Sequence, residues 1–93
     1  MNKRKFISVW DAIEDTPLAA ESMKLRASLM MALNRHIERS GLTQAQAAKR
    51  LGVTQPRISD LIRGKIDLFA IDSLVNMAMA AGLHVEMRIR KAA

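Results

Sequence analysis

Two helix-start signals, Thr43 and Thr54, stand on either side of a single glycine in LTQAQAAKRLGVTQPRISDLIRGK, residues 42–65. Thr43 followed by Gln46 has the form of a capping box, in which each side chain meets the other residue's backbone N–H. Thr54 is followed by Pro56 within the first turn, where the fixed φ of proline suits a helix and its missing N–H removes nothing. Only Gly52 and Val53 separate the first helix from the second cap. Two short helices must therefore pack against each other. Ala45, Ala48 and Leu51 are expected on the inner face of the first, the alanines permitting close approach. Ile58, Leu61 and Ile62 form the apolar stripe of the second, which Gly64 ends.

Helices joined in this way make a helix-turn-helix. The second helix of such a pair fits the DNA major groove, about 12 Å wide, and presents its N-terminal side chains to base edges. Here those side chains are Gln55, Arg57 and Ser59, with Arg63 one turn below Ser59. Glutamine bonds adenine and arginine bonds guanine at two points, each good pair being worth about 1–3 kcal/mol of discrimination. Thr43 and Gln44 open the preceding helix, whose N-terminal amides suit a phosphate oxygen. Lys49, Arg50, Arg63 and Lys65 are candidates for further phosphate contacts, which position a protein without reading sequence. A solvated helix face is the bland alternative for all of these residues.

The distribution of charge supports the sharper reading. The chain carries +6. Residues 1–22 hold three basic and four acidic groups, residues 66–93 three of each, and residues 23–65 nine basic against two acidic. The excess, +7, thus lies in the segment that contains both short helices. Concentrated positive charge points to a polyanion, most simply nucleic acid.

Around this centre, 93 residues leave room for one domain. Thr16-Pro17 opens a helix with a hydroxyl cap, and Leu25, Leu29, Met30, Leu33 and Ile37 share a face until Gly41. This is one long helix, or a short one over about 17–22 running into a second. A fourth amphipathic helix spans about Ala70 to Ala81, with Ile71, Leu74, Val75 and Ala78 inward. The period then changes to two: in LHVEMRIR, Leu83, Val85, Met87 and Ile89 alternate with polar residues, which predicts a strand. It would pair with KFISVW, residues 5–10, or with a second copy of the chain. The expected organisation is an N-terminal arm over 1–15, a helical domain over 16–82 with its helix-turn-helix at 43–64, and a strand and tail over 83–93.

Other chemistry finds little footing. No cysteine is present, so there is neither a disulfide framework nor a thiolate metal site. No glycine-rich phosphate loop and no His, Asp or Glu constellation suggests an enzyme or a metal or organic cofactor. His36 and His84 are far apart in sequence and read as partly exposed structural residues. No apolar run approaches the ~20 residues a membrane span needs, which places the chain in the cell interior. Met23, Met30, Met31, Met77 and Met79 read as core filling before they read as a partner surface. Trp10 sits beside Asp11, Glu14 and Asp15, either anchoring the arm to its own domain or gripping a basic partner as an aromatic anchor with a charged rim.

Residues 42–65 resemble the helix-turn-helix of the lambda-repressor-like (XRE) family of bacterial regulators. Leu42-Thr43-Gln44, the alanine pair, Leu51-Gly52-Val53 and Gln55 through Gly64 agree with it in type and spacing. VWDAIEDTP at 9–17, MKLR at 23–26, and GKIDLF followed by a helix and LHVEMRIR are similar to the HigA-like antitoxins of type II toxin–antitoxin modules. The resemblance implies an all-α, five-helix lambda-repressor-like domain, to which the alternation in residues 83–90 adds a C-terminal strand expected to serve in dimerisation. It implies a cytoplasmic, nucleoid-associated homodimer that binds a double-stranded operator, represses its own operon and neutralises a RelE/ParE-like ribonuclease toxin. A stand-alone repressor without a toxin is the alternative. Carried over, the base-reading positions are Gln55, Arg57 and Ser59, and the phosphate positions Thr43, Gln44, Thr54, Arg63 and Lys65. The dimer strand is Leu83, Val85, Met87 and Ile89, and the toxin would meet Trp10, Asp11, Glu14 and Asp15. Gln44 would brace Gln55 as it meets a base. One departure is Ala70, where a Ser cap commonly opens the next helix.

Overall fold

The computed structural model describes residues 17–91. The arm residues Trp10, Asp11, Glu14 and Asp15, the KFISVW segment and the Thr16 cap lie outside the described residues. Four α-helices follow one another: α1 (Pro17–Ser40), α2 (Gln44–Leu51), α3 (Gln55–Ile62) and, after a 3₁₀ turn at Ile66–Leu68, α4 (Ile71–Ala80).

The first helix is continuous, because no glycine or proline interrupts Leu18–Ser40. Its C-terminal half is the backbone of the core: Met30, Leu33 and Ile37 are buried against Ala47, Ala48 and Leu51 of α2, Ile58 and Leu61 of α3, Phe69, and Leu74, Met77 and Ala78 of α4. Leu25, further toward the N-terminus, is exposed. On α2 the buried alanine beside Ala48 is Ala47, whereas Ala45 faces solvent. The methionines divide, Met30 and Met77 being buried while Met23, Met31, Met79 and Met87 are exposed.

The five-helix domain with a C-terminal strand is corrected by the structure. Among the described residues there are four α-helices and no strand. After α4, the Leu83 N–H donates to the Ala78 carbonyl at 2.9 Å, closing the helix end. Residues 83–91 then run without regular structure. A strand requires a partner backbone, and among the described residues none forms a ladder with it. The alternation has a different cause. Leu83 and Val85 pack on the helical core while His84 and Glu86 face solvent, so a chain laid over helices shows a two-residue period without any ladder. Beyond them the pattern buries nothing: Met87 and Ile89 are 69% and 87% exposed. The dimer strand of Leu83, Val85, Met87 and Ile89 falls with it.

A candidate nucleic-acid interface on the second and third helices

The local chemistry that sets α2 and α3 is the one expected from the sequence. Thr43 Oγ1 accepts from the Gln46 N–H at 3.2 Å, and Gln46 Oε1 accepts from the Thr43 N–H at 2.9 Å. Gly52 then takes the left-handed conformation, φ 73°, which costs other residues about 1–2 kcal/mol. The Val53 N–H turns back to the Ala48 carbonyl at 2.9 Å, so the chain turns out of the helix within two residues. Thr54 Oγ1 accepts from the Arg57 N–H at 3.4 Å, a longer bond, with Pro56 beside it. Ile58 and Leu61 are fully buried, which fixes the rotation of α3 about its axis. Ile62, expected on the same stripe, is partly exposed.

That rotation decides what α3 offers to solvent. Gln55 is exposed and Ser59 half-buried, and neither side chain has a hydrogen-bond partner within the described residues. Gln44 is likewise exposed and unpartnered, so it makes no bond to Gln55 in the free protein. Arg63 is exposed at the far end of α3. Lys65 Nζ lies 3.6 Å from Asp60 Oδ1, a partly exposed pair of small energetic weight. On α2, Lys49 and Arg50 line, with Leu42 and Gln46, an open groove of about 460 Å³.

Arg57 is placed differently from its neighbours. Its Nη1 donates to the Leu68 carbonyl at 2.7 Å, and its Cζ sits 4.0 Å from the centroid of the Phe69 ring. The guanidinium is thus tied to the last residue of the 3₁₀ turn and to the one after it. Reasoning from spacing missed both this tie and Asn34, whose Nδ2 donates to the Leu61 carbonyl at 3.0 Å. One signal for the first was present: Phe69 is the sole aromatic residue after Trp10.

Among the described residues no group of His, Asp and Glu could hold a metal ion, and no helix is long and apolar enough to cross a membrane. His84 Nε2 lies 3.6 Å from Glu86 Oε1 on the exposed tail.

Comparison with known proteins agrees with this geometry. The family model for a helix-turn-helix domain matches residues 12–90. A solved structure described as a "Putative XRE Family Transcriptional Regulator" superposes with a TM-score of 0.75 and 39% sequence identity, over 80% of this chain and 83% of that one. No curated protein matches the sequence.

Proposed function

This chain belongs to the XRE helix-turn-helix family of transcriptional regulators, and from that premise we propose that it reads double-stranded DNA by laying α3 in the major groove. Gln55, Arg57 and Ser59 are the base-reading residues. Thr43, Gln44, Thr54, Arg63 and Lys65 hold the flanking phosphates, the first three at helix N-termini where amides and dipole favour an anion. One observation carries the assignment. The polar side chains at the start of α3 project from a helix whose rotation Ile58 and Leu61 lock, and Gln55 and Ser59 have no side-chain hydrogen-bond partner among the described residues. Polar groups carried on a fixed helix face and left without a partner are suited to a partner from outside. The surrounding excess of basic residues supplies the sequence-independent attraction to phosphate.

The finer reading is an antitoxin that represses its own operon as a homodimer and neutralises a RelE/ParE-like ribonuclease. Its support is the antitoxin-like sequence around residues 9–26 and 64–90, together with the acids Asp11, Glu14 and Asp15 beside Trp10, which suit a basic toxin. The stand-alone repressor is the second reading, and a relative described as a transcriptional regulator suits it equally. A pull-down from the native host, with the full chain as bait, separates them. A stoichiometric small basic protein, toxic when expressed alone, supports the antitoxin. Recovery of operator DNA alone supports the plain repressor. Recovery of neither counts against both.

A further inference from the structure

The side chain of Arg57 is the best-constrained polar group on the proposed DNA face, and the residues that constrain it lie outside the helix-turn-helix. Arginine is long and flexible, and in solution its guanidinium samples many positions. Here a 2.7 Å hydrogen bond from Nη1 fixes one corner of the group on the Leu68 carbonyl. The Phe69 ring, 4.0 Å from Cζ, holds the group against an aromatic face. Both supports are held in turn by burial or by backbone hydrogen bonds. The ring is 1% exposed within the core cluster, and the Leu68 and Phe69 N–H groups bond back to the Lys65 and Ile66 carbonyls, each at 3.1 Å.

What remains open is informative. Nε and Nη2 of Arg57 take no partner among the described residues, and neither is a buried orphan. Those two nitrogens form the edge of the guanidinium that can donate two parallel hydrogen bonds. In the major groove, the acceptor pair that fits such an edge is O6 and N7 of guanine.

We propose that Phe69 is a specificity-determining positioning residue: its ring and the adjacent Leu68 carbonyl hold the Arg57 guanidinium so that its Nε–Nη2 edge reads one guanine. This rests on the assignment of α3 as the reading helix. Its consequence is that base preference at that position depends on a core residue twelve positions away in sequence. A less constrained arginine would still attract phosphate but would lose part of its selectivity, because the ordering would have to occur on binding.

The test begins by selecting preferred duplexes from a random double-stranded DNA pool with the full chain. Affinities are then measured for the selected site and for its single base-pair substitutions. Arg57→Lys keeps the charge and loses the planar fork, and Phe69→Leu keeps apolar bulk and loses the ring. Each is expected to reduce discrimination at the same G·C pair by about tenfold, with little change at other positions. The double variant is expected to lose no more than either single one. Should Phe69→Leu fail to fold, the wild-type protein still decides the matter by NMR. The Arg57 side-chain Hε, displaced by the ring current of Phe69, should keep that displacement in the complex. Two results overturn the proposal alone: variants that affect different base pairs or all pairs alike, or an Hε signal that loses its displacement on binding. A wild-type chain that enriches no sequence overturns the reading of α3 as well.

Discussion

Asn34 on α1 and Leu61 on α3 are joined by a hydrogen bond of 3.0 Å from the amide Nδ2 to the backbone carbonyl. The longest helix thereby holds the far end of the proposed reading helix, where carbonyls have no partner within the helix. The same carbonyl also accepts from the Gly64 N–H at 3.1 Å, so it keeps one donor if Asn34 is lost. Asn34→Ala should therefore cost only about 1 kcal/mol in urea denaturation. Asn34→Asp should cost more, because a carboxylate would face the carbonyl oxygen and gain nothing in return.

Gly52 offers a cleaner separation of causes. A β-carbon built there meets nothing within 4 Å, so crowding is no part of the reason for glycine. The backbone angle is. Gly52→Ala should destabilise by about 1 kcal/mol through its left-handed conformation, and Gly52→Asn by less, since asparagine tolerates that region. Thermal unfolding should show a shift of roughly 4–8 °C for the alanine variant. Equal losses for both variants would point to a steric cause.

The two N-caps should differ in strength. Thr43 takes part in a reciprocal capping box, whereas the Thr54 bond is 3.4 Å long and one-sided. Thr43→Ala is expected to lower stability by about 1 kcal/mol, and Thr54→Ala by about half of that. Chemical denaturation of both variants without DNA measures this ordering independently of any phosphate role.

Residues on the DNA face should show the opposite pattern, a loss of binding without a loss of stability. Gln55→Ala and Ser59→Ala remove side chains with no hydrogen-bond partner among the described residues, so folding should change by less than about 0.5 kcal/mol. Their affinity losses should be specific to individual base pairs. Arg63→Ala and Lys65→Ala should instead weaken binding to all sequences and each reduce the salt slope by about one. Fluorescence anisotropy across a salt series distinguishes the two classes.

The tail tests the account of its periodicity. Met87→Ser and Ile89→Ser should leave stability within about 0.5 kcal/mol, since both side chains are exposed. Val85→Ser, which removes a side chain packed on the core, should cost measurably more. Equal costs at all three positions would contradict the draping of residues 83–85 over the helices.

The sequence was most legible where structure is determined by near neighbours. Thr43 with Gln46, Thr54 with Pro56, and Gly52 each carry a local instruction that no distant contact needs to supply. The inner face of α2 was legible only to within a rotation: Ala45 and Ala47 are both small, and the packing against α1 decides for Ala47. The tail misled because alternation reports that an extended chain has two different faces, and does not report whether a second backbone lies beside it. The ties of Arg57 to Phe69 and of Asn34 to Leu61 join residues from separate elements. Neither follows from spacing along the chain, although the isolated phenylalanine marked a place to look.

The central claim is that α3 enters the major groove and reads base edges, and dimethyl sulfate protection tests it most directly. Guanine N7 lies in the major groove and is the atom this reagent methylates. With the selected duplex bound, the account predicts protection of guanines within the site, lost when Gln55, Arg57 and Ser59 are replaced together by alanine. Full methylation of every guanine in a duplex that the chain demonstrably occupies would contradict it.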